Sequence, residues 1–244
     1  PPVGDLRFRA PQPPLPWTEV ADADEYGCVC PQSPVPNFPL DLGAPTNEDC
    51  LFLNIWAPSG TASGDAKPVM VWLHGGAYVL GSSSQPLYDG RRLAGSGDVL
   101  VVSLNYRVGV FGFLDLSDLA GGDRFDSNIG LRDVIAALRW VQENIAAFGG
   151  DPSRVTVFGE SAGAGIVTTL LAIPAAEGLF NTAIAQSSPA TSVYDHNRAQ
   201  RVTRRVLEVL EIPASQPDRL VDVGVPALLS ATNKVFDEVP VRNP

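Results

Sequence analysis

The chain has 244 residues, of which 45% are hydrophobic and 18% charged, a balance that suits one sizeable folded core and argues against disorder. A formal net charge of -10 repels phosphate backbones and anionic lipid, whose binding relies on clustered Lys and Arg, so nucleic acid is a poor partner. No apolar run approaches the roughly 20 residues of a membrane-spanning helix, and no charged segment with an apolar core opens the chain, so no membrane span is expected.

The chain opens with PPVGDLRFRAPQPP, extended, proline-rich and without an initiator Met, and reads as truncated there. Residues 1–48 hold much of the proline and read as irregular, with PQSPVPNFPLDLGAPTNED as a surface loop. Three cysteines, Cys28, Cys30 and Cys50, are too few for a disulfide scaffold and allow at most one bridge. The CVC spacing is not the two-spacer pair used for zinc, and His74 and His196 lie far from it in sequence, so no metal site is expected.

Order begins at Leu51. Short apolar, β-branched runs at 51–57, 69–74, 98–106 and 154–158 predict strands buried on both faces. Between the last two, Ile129, Val134, Leu138, Val141 and Ile145 recur at helical spacing, and GGDP supplies the stop, which predicts an amphipathic helix. A second helix follows from Ala162 to about Ile173, then a strand at 181–187 and an exposed amphipathic helix from Asn197. The alternation of strand and helix predicts a mostly parallel sheet flanked by helices.

Within this pattern RVTVFGESAGAGIV, residues 154–167, carries Gly-x-Ser-x-Gly. The pentapeptide alone is modest, with roughly 0.08 chance matches expected in a chain this long. Its position after a predicted strand and before a predicted helix is the arrangement in which a sharp turn lifts a serine hydroxyl above the sheet edge. Gly159 and Gly163 then relieve steric crowding in that turn, and the helix N-terminus favours developing negative charge. Ser161 is therefore a candidate nucleophile, the alternative being a plain helix cap. A second strand ends in HGGAY, residues 74–78, where a glycine pair lets backbone N–H groups face an oxyanion; the alternative is an ordinary turn. GAGIVT at 163–168 fails as a dinucleotide fingerprint, because Thr168 stands where the final glycine is needed.

Taken together, PPVGDLRFRAP, EDCLFLNIWAP, VMVWLHGGAYVLGSS, NYRVGVFGFL, NIGLRDVIAALRWVQENIAAFGGDPSRVTVFGESAGA and AIAQSS, in this order from Pro1 to about Ser188, resemble the type-B carboxylesterase family. From Pro189 onward the resemblance thins to compatible composition. It implies an α/β-hydrolase fold and a serine esterase that acts through an acyl-enzyme without metal or cofactor. Residues 1–244 would then be a partial domain, lacking the first strands and the C-terminal half. By resemblance Ser161 is the nucleophile and the amides of Gly76, Ala77 and Ala162 form the oxyanion hole. Ala77 stands where many members have a third glycine, which keeps the N–H and adds a methyl.

Glu160 is implied either as a group that orients water or as a buried, hydrogen-bonded carboxylate. Cys30 and Cys50 match a pair that is bridged in many members, in an oxidising compartment. The loop between them has only Phe38 as an aromatic, without the tryptophan that holds choline esters, so an uncharged small-molecule ester is the expected substrate. The family's triad runs Ser, acid, His, with the acid more than 100 residues beyond the serine, whereas the chain continues for 83 residues after Ser161. The resemblance thus implies that the acid and the histidine lie outside this chain, on a C-terminal half that could be a separate piece. His74 and His196 are expected to be structural. A non-catalytic adhesion member of the same fold is the alternative, and it loses support from the retained serine.

Overall fold

Five residues, Leu100–Leu104, are all buried and form a strand that water reaches from neither face. The computed structural model describes residues 1–34, 39–119, 121–189 and 193–238. Around that strand the elements run β1 (Leu53–Trp56), β2 (Lys67–Leu73), α1 (Arg91–Gly97), β3 (Leu100–Leu104), α2 (Gly109–Phe113), α3 (Ile129–Asn144), β4 (Gly150–Glu160), α4 (Ala162–Leu170), β5 (Thr182–Gln186), α5 (His196–Val209) and α6 (Val225–Glu238). The sheet order is β1-β3-β2-β4-β5. Pairing is antiparallel between β1 and β3 and parallel for the rest. This is the mostly parallel, helix-flanked sheet of the α/β-hydrolase fold.

Burial on both faces holds for β3 alone. In β2 the alternate side chains Val69, Val71 and Leu73 are buried while their neighbours are partly accessible, and β1 is partly accessible along its whole length. Position accounts for β1, which is an edge of the sheet; β2 lies inside it, between β3 and β4, and is accessible only on the face that carries Met70 and Trp72. The helical spacing from Ile129 to Ile145 does what it predicts, with Ile129, Val134, Leu138, Val141 and Ile145 all at most 1% exposed. Each such side chain contributes roughly 1.5–3 kcal/mol relative to exposure. The chain then turns through Gly149, at φ 86, into β4. Two buried clusters result. One joins the sheet to α3 and α4, and the other joins Phe8 and Phe111 to Val206, Leu207, Leu228 and Val235 of α5 and α6.

The proline-rich segment is not simply a surface loop. Val29, Cys30, Pro31 and Gln32 are buried, Cys30 is disulfide-bonded to Cys50, and Val29 forms a parallel bridge with Thr46. Phe38 lies outside the described residues. Among the described residues no helix is long and apolar enough to cross a membrane.

Candidate active site

The sheet brings two segments together at the C-terminal ends of β2 and β4. Leu73 is the Cα partner of Gly159, so the chain leaving β2 as HGG and the chain leaving β4 as GES emerge side by side. The turn after β4 is tight. A Cβ on Gly159 would stand 2.7 Å from the Gly163 carbonyl carbon, and one on Gly163 would stand 2.1 Å from the Leu73 carbonyl oxygen. Both contacts are with backbone that cannot yield, which is the physical reason for glycine on either side of the serine.

Ser161 itself has φ 54 and ψ -122, a left-handed conformation that a non-glycine residue adopts only where its surroundings impose it. It sits at the N-cap of α4, yet its hydroxyl makes no cap hydrogen bond, so helix capping is not its use. Its N–H donates to the Gln186 carbonyl at 3.0 Å, and its carbonyl accepts from Gly165 at 2.9 Å. The strained turn is therefore held at both ends by backbone while the hydroxyl stays uncommitted. The next amide, that of Ala162, is the first of α4 and has no intrahelical acceptor.

The HGG segment closes on this turn. A Cβ on Gly75 would lie 2.9 Å from the Glu160 carbonyl oxygen, 3.1 Å from Glu160 Oε2 and 3.3 Å from Ser161 Cβ. Gly76, Ala77 and Tyr78 then take φ of 119°, 52° and 63° in succession. Gly76 and Ala77 donate to no acceptor among the described residues, whereas the Gly76 carbonyl receives Val79 and Leu80 at 3.0 Å each. Glu160 is exposed within this chain. Its charge, after burial, is the second cause that pushes the Tyr88 hydroxyl pKa up.

Neither histidine reaches Ser161 by a hydrogen bond. His74 is 1% exposed, stacks on Tyr106 with ring centroids 4.3 Å apart, and donates from Nδ1 to the Gly75 carbonyl at 2.8 Å. The Tyr106 hydroxyl donates to the His74 carbonyl at 2.7 Å, and burial pushes that phenol's pKa up. Burial also lowers the His74 pKa to about 4, so the ring is neutral at pH 7. His196 Nε2 lies 2.8 Å from Asp118 Oδ2 on the surface. Among the described residues no group of three or more His, Cys, Asp and Glu side chains is placed to hold a metal ion.

Sequence reasoning missed the support behind this site. The stretch Ser82, Ser83, Ser84 and Gln85 is at most 7% exposed despite its polarity. Ser82 and Ser84 hydroxyls donate to the Leu42 carbonyl at 2.7 Å each, and the Ser83 amide donates to Asn105 Oδ1 at 2.9 Å. Gln32 pairs with Gly81. No local pattern marks these residues, because their partners are distant in sequence.

The sequence profile of the carboxylesterase family matches residues 1–225. This chain belongs to the carboxylesterase family. The chain is 48% identical over 239 residues to the para-nitrobenzyl esterase of Bacillus subtilis (strain 168), covering 96% of this chain and 47% of that protein. It is 42% identical over 219 residues to the liver carboxylesterase of Sus scrofa, covering 86% of this chain and 38% of that one. Among solved structures, a PNB esterase superposes with TM-score 0.86 at 49% identity, over 96% of this chain and 48% of the other. A carboxylesterase of Geobacillus stearothermophilus gives TM-score 0.88 at 44% identity, over 98% and 48%. The chain thus spans about half the length of the bacterial relatives and less of the liver enzyme.

Proposed function

We propose that this chain is the nucleophile-bearing half of a serine carboxylesterase that hydrolyses uncharged carboxylic esters. The observation that carries the reading is Ser161, held left-handed at a strand-to-helix turn with its hydroxyl free of any cap bond. The names of the relatives, para-nitrobenzyl esterase and liver carboxylesterase, support ester hydrolysis as the reaction class. A non-catalytic binding role gains no such support.

In this reading Ser161 Oγ attacks the ester carbonyl carbon as a general base takes its proton. The amides of Gly76, Ala77 and Ala162 stabilise the tetrahedral oxyanion, the C–O bond to the alcohol breaks, and the proton passes to the leaving oxygen. Water then attacks the acyl-serine by the same route and releases the acid. Glu160, beside Gly75, supports the site by orienting water at its rim. Both histidines of the chain are engaged elsewhere, so the base and its orienting acid come from outside residues 1–244. A C-terminal half supplies them, either as a separate piece or as the continuation of one polypeptide. The preference for uncharged esters rests on the lack of a tryptophan between Cys30 and Cys50 that would hold a quaternary ammonium.

A fluorophosphonate probe followed by peptide mapping tests the assignment. In the complete enzyme the label is expected on Ser161, and this chain alone is expected to label weakly, because an unactivated serine is a poor nucleophile. Label elsewhere, or no label on the complete enzyme, rejects Ser161.

A further inference from the structure

We propose that Gln32 is a positioning residue for the oxyanion loop, its side-chain amide clamping Gly81 so that residues 74–81 hold their course. This rests on the reading of Gly76 and Ala77 as oxyanion donors. Gln32 is 7% exposed, and both polar atoms of its amide are spent. Oε1 accepts the Gly81 N–H at 2.7 Å, and Nε2 donates to the Gly81 carbonyl at 2.8 Å and to the Cys30 carbonyl at 3.0 Å. The side chain therefore pairs with both the N–H and the C=O of one residue, much as a neighbouring strand would.

Such a clamp has a reason at this point. Beyond Leu73 the chain leaves the sheet ladder, and Ala77 and Tyr78 hold positive φ that side-chain-bearing residues disfavour, so their local preference opposes the loop's shape. Gly81 also abuts the donors' neighbours: a Cβ placed on it would meet the Gly75 carbonyl oxygen and His74 Nδ1, each at 2.4 Å. A shift of Gly81 is thus transmitted to the HGG segment without slack. The clamp itself stands on a fixed base. The Cys30–Cys50 disulfide lies two residues before Gln32, the Val29 amide donates to Pro45 at 2.8 Å, and Asn47 donates to the Val29 carbonyl at 2.9 Å.

The test compares Gln32→Ala and Gln32→Glu with wild type in the complete enzyme. With para-nitrophenyl acetate, Gln32→Ala is expected to lower kcat about tenfold to a hundredfold, up to the loss of one oxyanion donor, with KM within about twofold. A trifluoromethyl ketone, which forms a tetrahedral oxyanion on the serine, is expected to weaken by a similar factor. Hydrogen exchange of the 75–81 peptide should quicken. Gln32→Glu keeps the acceptor for the Gly81 N–H and regains a donor only when protonated. Its activity relative to wild type at the same pH should therefore rise as pH falls, a recovery that loss of stability alone would not give if melting is matched. If Gln32→Ala fails to fold, this variant carries the test.

Unchanged exchange at 75–81 overturns the clamp, and with unchanged kcat it leaves the oxyanion reading standing. Quicker exchange with unchanged kcat overturns the positioning role and rejects Gly76 and Ala77 as oxyanion donors as well. A loss in KM in place of kcat, or no recovery of Gln32→Glu at low pH, also overturns the proposal.

Discussion

Lowering the pH from 7 to 5 is expected to cost the folded state about 2 kcal/mol at a single side chain, His74. The ring is fully enclosed: it stacks on Tyr106, donates from Nδ1 to Gly75, and has Nε2 buried without a hydrogen-bond partner among the described residues. A proton added at Nε2 would be a buried charge with nothing to receive it. Burial accordingly lowers the pKa from 6.5 to about 4, against a smaller upward pull from the Gly75 carbonyl. Between those values the unfolded chain binds the proton and the folded chain does not, so stability falls as pH falls. The loss begins near pH 6.5 and, at about 1.4 kcal/mol per pKa unit, approaches about 3 kcal/mol below pH 4. Urea denaturation at pH 7, 6 and 5, on wild type and on His74→Phe, isolates the effect. The variant keeps an aromatic ring against Tyr106, loses about 1 kcal/mol with the Gly75 hydrogen bond, and cannot titrate. Carboxylate contributions are common to both proteins and cancel in the difference. Stability curves that run parallel over this range would refute a buried, neutral His74 as the source.

Other perturbations test the frame around the site. Arg107 reaches Asp133 through its backbone amide, Nε and Nη2, with side chains 4% and 1% exposed, so Asp133→Ala should cost about 3–5 kcal/mol by stranding a buried guanidinium, while replacing both partners with apolar residues costs far less. Denaturant midpoints measure both. Ser161→Gly removes the left-handed strain and should stabilise the fold by about 1 kcal/mol while abolishing fluorophosphonate labelling of the complete enzyme; an unchanged or lowered melting temperature would mean that the turn stores no strain. Reducing the Cys30–Cys50 disulfide, whose partners are 20 residues apart, should lower stability by about 3 kcal/mol in urea titrations with and without dithiothreitol.

What could be read from the sequence was what neighbours in sequence decide. The α3 stripe and the apolar runs of β1 to β5 follow from the spacing of apolar residues, and the elbow follows from its glycines, although part of their crowding comes from the Leu73 carbonyl of β2. Elements with weak local preference went unseen. The helices α1, RRLAGSG, and α2, GVFGF, are short and glycine-bearing, and α2 persists because Val110 and Phe111 bury against Phe8 and the α5–α6 layer. Burial of whole strands is not set by local sequence either: β1 carries an apolar run but lies at the sheet edge and stays partly accessible along its length.

The candidate site divides along the same line. HGGAY announces amides that can turn outward, yet it contains nothing that would keep them there. That task falls to residues whose sequence reads as solvent-facing: Ser82, Ser83 and Ser84, buried against Leu42 and Asn105, and Gln32, drawn from a proline-rich segment 49 positions before the glycine it holds. A buried polar side chain is tolerated only with its partners in place, so these residues specify the loop's path at the same stroke as they satisfy it. Chemistry at the elbow is written in a pentapeptide. The precision of the amides opposite it is written in contacts that only the folded chain makes.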